Sequence, residues 1–244
     1  MSNNNTIKKL LTFSTVNSNN RSTSNPSFYL LQPITNLLNY SVVNFSGINN
    51  YYNINSNNQN FAFQETGKAI ITLQIPIGQY TVTTLISKLQ TLMNLNSPYP
   101  NTYVISLNNN YIDINASGTA VTWKFIDISN SLYYTIGFYP SLPSAAFHQY
   151  ASQQVDLSGI STLFIGSASF GENAAIINSQ LPVIASVAIT GSYLSPIIYD
   201  AKFPTQVTVE NNMINIISFS LFDQRLQAIN FTSDWSITIL VECN

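Results

Sequence analysis

The chain has 244 residues, enough for one large all-β domain or two smaller ones. Apolar residues make up 45% and charged residues only 7%, with a net charge of −2, where globular proteins usually carry roughly 25% charged residues. This balance excludes a disordered chain, which would lack apolar residues, and leaves no basic footprint for nucleic acid.

Residues 1–26 are mostly polar, with Ile7, Leu10, Leu11 and Phe13 among the few apolar residues, and are expected to form a flexible N-terminal arm. Residues 27–244 then form the main domain. Ser27–Gln32 is a short strand ending at Pro33, and Leu37–Ile48 a longer one rich in β-branched and aromatic residues. Gly47–Gln59 reads as an Asn-dense loop carrying Tyr51 and Tyr52. Phe61–Thr66 and Lys68–Ile75 are strands, the second broken by Pro76–Tyr80.

From Thr81 the period changes to that of a helix, over about 81–94. Val82, Leu85, Ile86, Leu89, Leu92 and Met93 share one face, and the hydroxyl of Thr81 can cap the first turn. Thr83, Thr84, Ser87, Lys88 and Gln90 fall on the wet face, and Asn94 and the Pro98 region end the helix. The apolar stripe is scaffold, packed on a sheet.

Tyr103–Leu107 and Tyr111–Ile114 flank three asparagines, which tolerate left-handed φ, and predict a hairpin. Val121–Ile128 is a further strand, and Ser131–Phe138 one helical turn closed by Gly137. Tyr139–Gly171 carries little signal, which leaves room for an insertion at about 95–180. Pro182–Leu194, Val207–Val209, Met213–Phe222 and Trp235–Val241 are the closing strands, the last a period-2 alternation. Roughly ten short strands, one main helix and no internal repeat predict an all-β jelly-roll β-sandwich.

No residue set points to catalysis, a cofactor or a metal. His148 is the one imidazole, and no G-x-S-x-G surrounds any serine. Gly166–Gly171 has the glycine spacing of a phosphate loop but lacks its lysine. The carboxylates Asp113, Asp127, Asp156, Asp200, Asp223 and Asp234, with Glu65, Glu172, Glu210 and Glu242, are dispersed. Asp223 and Arg225 read as a turn. The single cysteine, Cys243, excludes an internal disulfide and a cysteine zinc site. No apolar run approaches the roughly 20 residues of a membrane span, and no signal-peptide pattern is seen. The chain is therefore not expected to be an enzyme. An uncharged Asn/Ser/Thr surface suits packing inside an assembly, although an AT-rich coding bias would also raise Asn and Ile.

Several stretches, in order, resemble the penton (minor capsid, vertex) proteins of virophages and related polinton-type viruses. These are Asn17–Arg21 (NSNNR), Phe28–Leu31, Pro33-Ile34 and Tyr52–Ile54 near the start. Ile75–Thr81 followed by the helix to Asn94 is similar to that family's IPxGxYT…LxxxLN segment, and Ser131–Phe138 to its LGF motif. Pro182–Leu194 and Ile214–Leu240, with Asp223 and Trp235, have the character of its last strands. Ile136 departs from the usual Leu, and Gln224-Arg225 stand where a Gly often follows the Asp. The composition is like that of amoeba-associated, Sputnik-like virophages. The resemblance implies a virion protein, a homopentamer at icosahedral fivefold vertices among hexameric major capsid proteins, assembled in the host cytoplasm. The alternative is a spike or lectin-like jelly roll that binds host-surface glycans through Tyr51, Tyr52 and Asn55–Asn60.

Overall fold

The computed structural model describes residues 6–99, 101–118, 122–138, 144–170, 175–177, 181–202, 204–209, 213–229 and 231–244. The chain divides into two compact units, Met1–Tyr51 with Ile160–Asn244, and Tyr52–Gly159. The stretch between the halves of the first unit thus spans 52–159 and overlaps the insertion expected from the sequence at about 95–180.

The first unit opens with β1 (Ile7–Ser14), β2 (Ser27–Thr35) and β3 (Leu37–Ile48). The second holds β4 (Asn60–Glu65), β5 (Ile71–Gln74), α1 (Val82–Asn96), β6 (Thr102–Asn108), β7 (Tyr111–Ser117), β8 (Trp123–Ile126) and β9 (His148–Tyr150). The chain then completes the first unit with β10 (Thr162–Gly166), β11 (Ala175–Ile177), β12 (Leu181–Ala188), β13 (Pro196–Asp200), β14 (Val207–Thr208), β15 (Met213–Ser218), β16 (Ser220–Phe222) and β17 (Ser236–Cys243).

In the first unit one sheet runs β1-β17-β3-β13, with β14 also on β3. A second runs β11-β12-β10-β16, and β2 pairs with β15. All pairings are antiparallel, and the inner faces share one core, a jelly-roll-like sandwich. Phe13, Phe28, Phe219, Trp235 and Phe45 form a chain of rings with centroids 5.1–6.2 Å apart. Along β17 the predicted alternation holds, because Ile237, Ile239 and Val241 are all fully buried.

Residues 7–14, expected as part of a loose arm, pair along their whole length with β17. The reason lies in period rather than composition. Leu11 and Phe13 stand two apart, so both point into the core while Thr12 between them faces out. At the outer end the Lys8 ammonium lies 2.6 Å from Glu242 and, with the Asn39 and Gln206 amides, holds that carboxyl below its usual range. Strand β2 also runs past its expected end. Its pairing with β15 jumps from Tyr29 to Ile34, so Leu30–Pro33 bulge out and Pro33 needs no ladder donor.

In the second unit, β5-β4-β8 and β6-β7-β9 form two three-stranded sheets, and α1 packs against β6. Thr81 and Thr84 close a full capping box, the Thr84 N–H donating to Thr81 Oγ1 at 3.2 Å and the Thr81 N–H to Thr84 Oγ1 at 2.9 Å. Of the expected stripe, Leu85, Leu89 and Met93 are fully buried, while Ile86 and Leu92 are half-buried at the margin of the core.

Gln90, read as part of the wet face, and Asn94, read as ending the helix, do more. Gln90 Oε1 accepts from the Ile105 N–H at 2.8 Å, and Asn94 bonds both the N–H (2.6 Å) and C=O (3.0 Å) of Tyr103. One turn apart on the helix, they act as a neighbouring strand would and cover the edge of β6. The Asn108–Tyr111 hairpin forms as predicted, with Asn109 and Asn110 at φ 51 and 68.

Three buried tyrosines make stability depend on alkaline pH. Burial pushes Tyr40 up to about 12 and also Tyr133 to about 12, and it raises Tyr103 with help from the Glu65 carboxylate. An unfolded tyrosine ionises near 10, so above that pH the unfolded chain holds fewer protons and stability falls as pH rises. We expect a melting temperature that is flat to about pH 9 and drops steeply between about 10 and 12, read by circular dichroism. A flat profile to pH 11 would contradict the burial of these hydroxyls.

Candidate assembly surface

The groups that could have carried chemistry are mostly engaged in structure. Asp223 Oδ1 accepts from the N–H groups of Arg225 and Gln227, each at 2.8 Å, and Leu226 takes the positive φ (61) that a glycine would otherwise supply. Asp234 accepts from the Thr15 hydroxyl (2.7 Å), and Asp156 from the hydroxyl and N–H of Ser158. Glu65 is fully buried among the Tyr103 hydroxyl, the Tyr99 N–H and the Ser97 hydroxyl. Glu172 and Glu210 lie outside the described residues. Among the described residues no cluster of three or more acidic, His or Cys side chains could hold a metal. Cys243 is a buried free thiol.

Of the glycine-spaced Gly166–Gly171, residues 166–170 follow from the end of a strand, and Gly171 lies outside the described residues. Gly166 closes β10, Ala168–Phe170 is a single 3-10 turn, and the Phe170 ring is buried 4.7 Å from that of Tyr40. His148 does meet an acid, since pairing of β9 with β7 brings its Nε2 onto Asp113 Oδ1. The spacing of 35 residues gave no local sign of this pair.

Amides proposed for sugar contact are engaged in hydrogen bonds with neighbouring groups. Asn58 Nδ2 donates to the Asn53 carbonyl (2.8 Å) and Thr135 Oγ1 (3.1 Å), Asn55 Nδ2 to the Tyr52 carbonyl, and Asn60 Nδ2 to the Ser129 carbonyl. Tyr51 packs against the core of the first unit. They hold their own loops.

An exposed apolar strip lies elsewhere, on β2 and β15. On the outer side of β2 and β15, Tyr29 (69% exposed) stands opposite Ile216 (43%). Leu31, in the adjoining bulge, is completely exposed. Neither strand holds a charged residue. Large side chains so placed carry desolvation energy that only a partner can release.

The outer face of the β1-β17-β3-β13 sheet is mostly polar, and it carries the Lys8–Glu242 pair and the exposed Leu10. The Thr12 and Thr238 hydroxyls lie 3.1 Å apart and those of Ser46 and Ser236 2.8 Å apart, in ladders that end at Asp200 and Ile198. Strand β1 forms one edge of that sheet, and among the described residues it pairs only with β17. An open edge, a polar face with few charges and an apolar strip are the parts of a contact surface.

No protein-family model matches the chain, and no curated protein does. Among solved structures it is similar to the crystal structure of a selenomethionine-labelled mavirus penton protein, with a TM-score of 0.50 and 9% identity, covering 98% of this chain and 100% of that one. At that identity the likeness is one of fold, and it shows that the chain has the all-β architecture of a virophage penton protein.

Proposed function

We propose that the chain is a structural protein of a viral particle, a penton subunit that closes the fivefold vertex as a homopentamer among hexamers of a major capsid protein. The observation that carries this reading is the fold match, which runs through both units and the whole of a penton protein. The surface supports it. A ring of five uses two different, complementary sides on each subunit, and faces with few charges can be buried there at a small desolvation cost of ions. Localisation to the virion, with assembly in the host cytoplasm, belongs to the same reading.

Native mass spectrometry and negative-stain imaging of the purified protein test it. Five-membered rings are expected, alone or on addition of the major capsid protein, and their yield should change little between low and high salt because few ion pairs are involved. The double substitution Leu31→Asp with Ile216→Asp should weaken ring formation by at least about tenfold, since each aspartate must be desolvated at the contact. Both positions are exposed, so the folded monomer should persist. A wild-type monomer that never assembles and is absent from the vertices of particles would refute the proposal.

A further inference from the structure

We infer that the outer face of the β6-β7-β9 sheet is a binding site for a neutral sugar ring of a glycan. This goes beyond the assembly reading and does not depend on it. The inner face of the sheet carries Tyr103, Ile105, Ile112 and Ile114, all buried, so the core is complete without the outward residues. Those outward residues form a different set. The ladder places Ser106, Asp113 and Tyr150 side by side, and Asn115 next to His148.

The rings of Tyr111 and Tyr150 lie nearly parallel, 15° apart, with centroids separated by 5.9 Å. Ring faces in contact sit at about 3.5–4 Å, so the two are displaced sideways by roughly 4–5 Å and leave much of each face uncovered. Tyr150 is 45% exposed. This stepped aromatic shelf suits the apolar C–H face of a pyranose.

Polar capacity beside the shelf is unspent. Asp113 uses Oδ1 for His148, and among the described residues Oδ2 has no partner. A carboxylate only accepts, so it requires donors. Two vicinal sugar hydroxyls supply them, and hydrogen bonds to a charged acceptor are the stronger kind. His148 orients the carboxylate through Oδ1, while Ser106 and Asn115 on the neighbouring positions add neutral donors and acceptors. An anionic sugar would meet the Asp113 charge. A lysine-rich peptide would satisfy the carboxylate but leave the amide and hydroxyl flank unused.

Saturation-transfer NMR on the full chain tests the site, with the methyl glycosides of mannose, galactose and glucose as neutral probes and sialyllactose and a lysine-rich peptide as comparators. Transfer to the C–H protons of at least one neutral glycoside is expected. Tyr150→Ala and Asp113→Asn should each weaken that binding by about tenfold or more, with circular dichroism and melting temperature preserved. The inference is overturned if no neutral glycoside receives saturation, if neither substitution changes binding, or if the sialylated sugar or the peptide binds better.

Discussion

Replacing Glu65 by alanine is expected to destabilise the protein by about 3–5 kcal/mol. This carboxylate closes β4, is fully buried, and accepts from three donors that all follow α1 in the chain. They are the Ser97 hydroxyl at 2.5 Å, the Tyr99 N–H at 3.1 Å and the Tyr103 hydroxyl at 2.8 Å. Among the described residues no Lys, Arg or His pairs with it, so the donors alone compensate its burial. Alanine would open a cavity and strand the Tyr103 hydroxyl, which is itself fully buried. Glu65→Gln keeps one acceptor oxygen and the volume, and should cost about 1–2 kcal/mol. Urea unfolding of these variants, with Tyr103→Phe completing a double-mutant cycle, isolates the shared term. A Glu65→Ala cost below about 1 kcal/mol would remove the carboxylate from any role in fixing the stretch after the helix.

What could be read from the residues was what is local. The helix was legible because its cap and stripe lie within one short window, and the Asn109-Asn110 hairpin because its turn chemistry is written in adjacent residues. The task assigned to Gln90 and Asn94 was not, since their partners lie across a loop on β6 and no periodicity reports them. Strand β1 was obscured by composition. Two inward residues, Leu11 and Phe13, are enough to seat it, yet they barely register in a polar stretch. Pro33 lacks a donor and reads as a strand end, whereas the structure places it in an unpaired bulge.

The surfaces followed the same logic. A charge-poor exterior was visible in the counts, but which residues stay uncovered depends on register. Tyr29 and Ile216 share an outward face only because β2 pairs antiparallel with β15. Tyr111, Asp113, His148 and Tyr150 meet only because β9 returns to β7. The Asn-rich loop shows the converse. Its amides looked available for a ligand, yet a loop without a ladder must satisfy its own backbone, and Asn55 and Asn58 do this.

The turn at Ser131–Phe138 yields the second large effect. The Phe138 N–H bonds the Tyr133 carbonyl at 2.9 Å and the Gly137 N–H bonds that of Tyr134 at 3.3 Å, a helical turn ended by a Schellman motif with Gly137 in the left-handed position at φ 83. A side chain there would also collide with the backbone of Gln153, because a Cβ on Gly137 would sit inside the contact distance of the Gln153 carbonyl oxygen. The Gln153 N–H donates to Gly137 O at 3.0 Å, so that backbone cannot retreat without losing its own bond. Gly137→Ala is therefore expected to cost about 3 kcal/mol or more, the sum of left-handed strain and a displaced strap. Gly67 is the control. It has the same φ of 83, but a Cβ there would meet nothing nearer than the Tyr99 hydroxyl at 4.0 Å. Gly67→Ala should thus show strain alone, about 1 kcal/mol. Thermal and urea unfolding of the two variants side by side separate conformation from collision, and equal costs would mean that the close approach of residues 137 and 153 does not hold this turn in place.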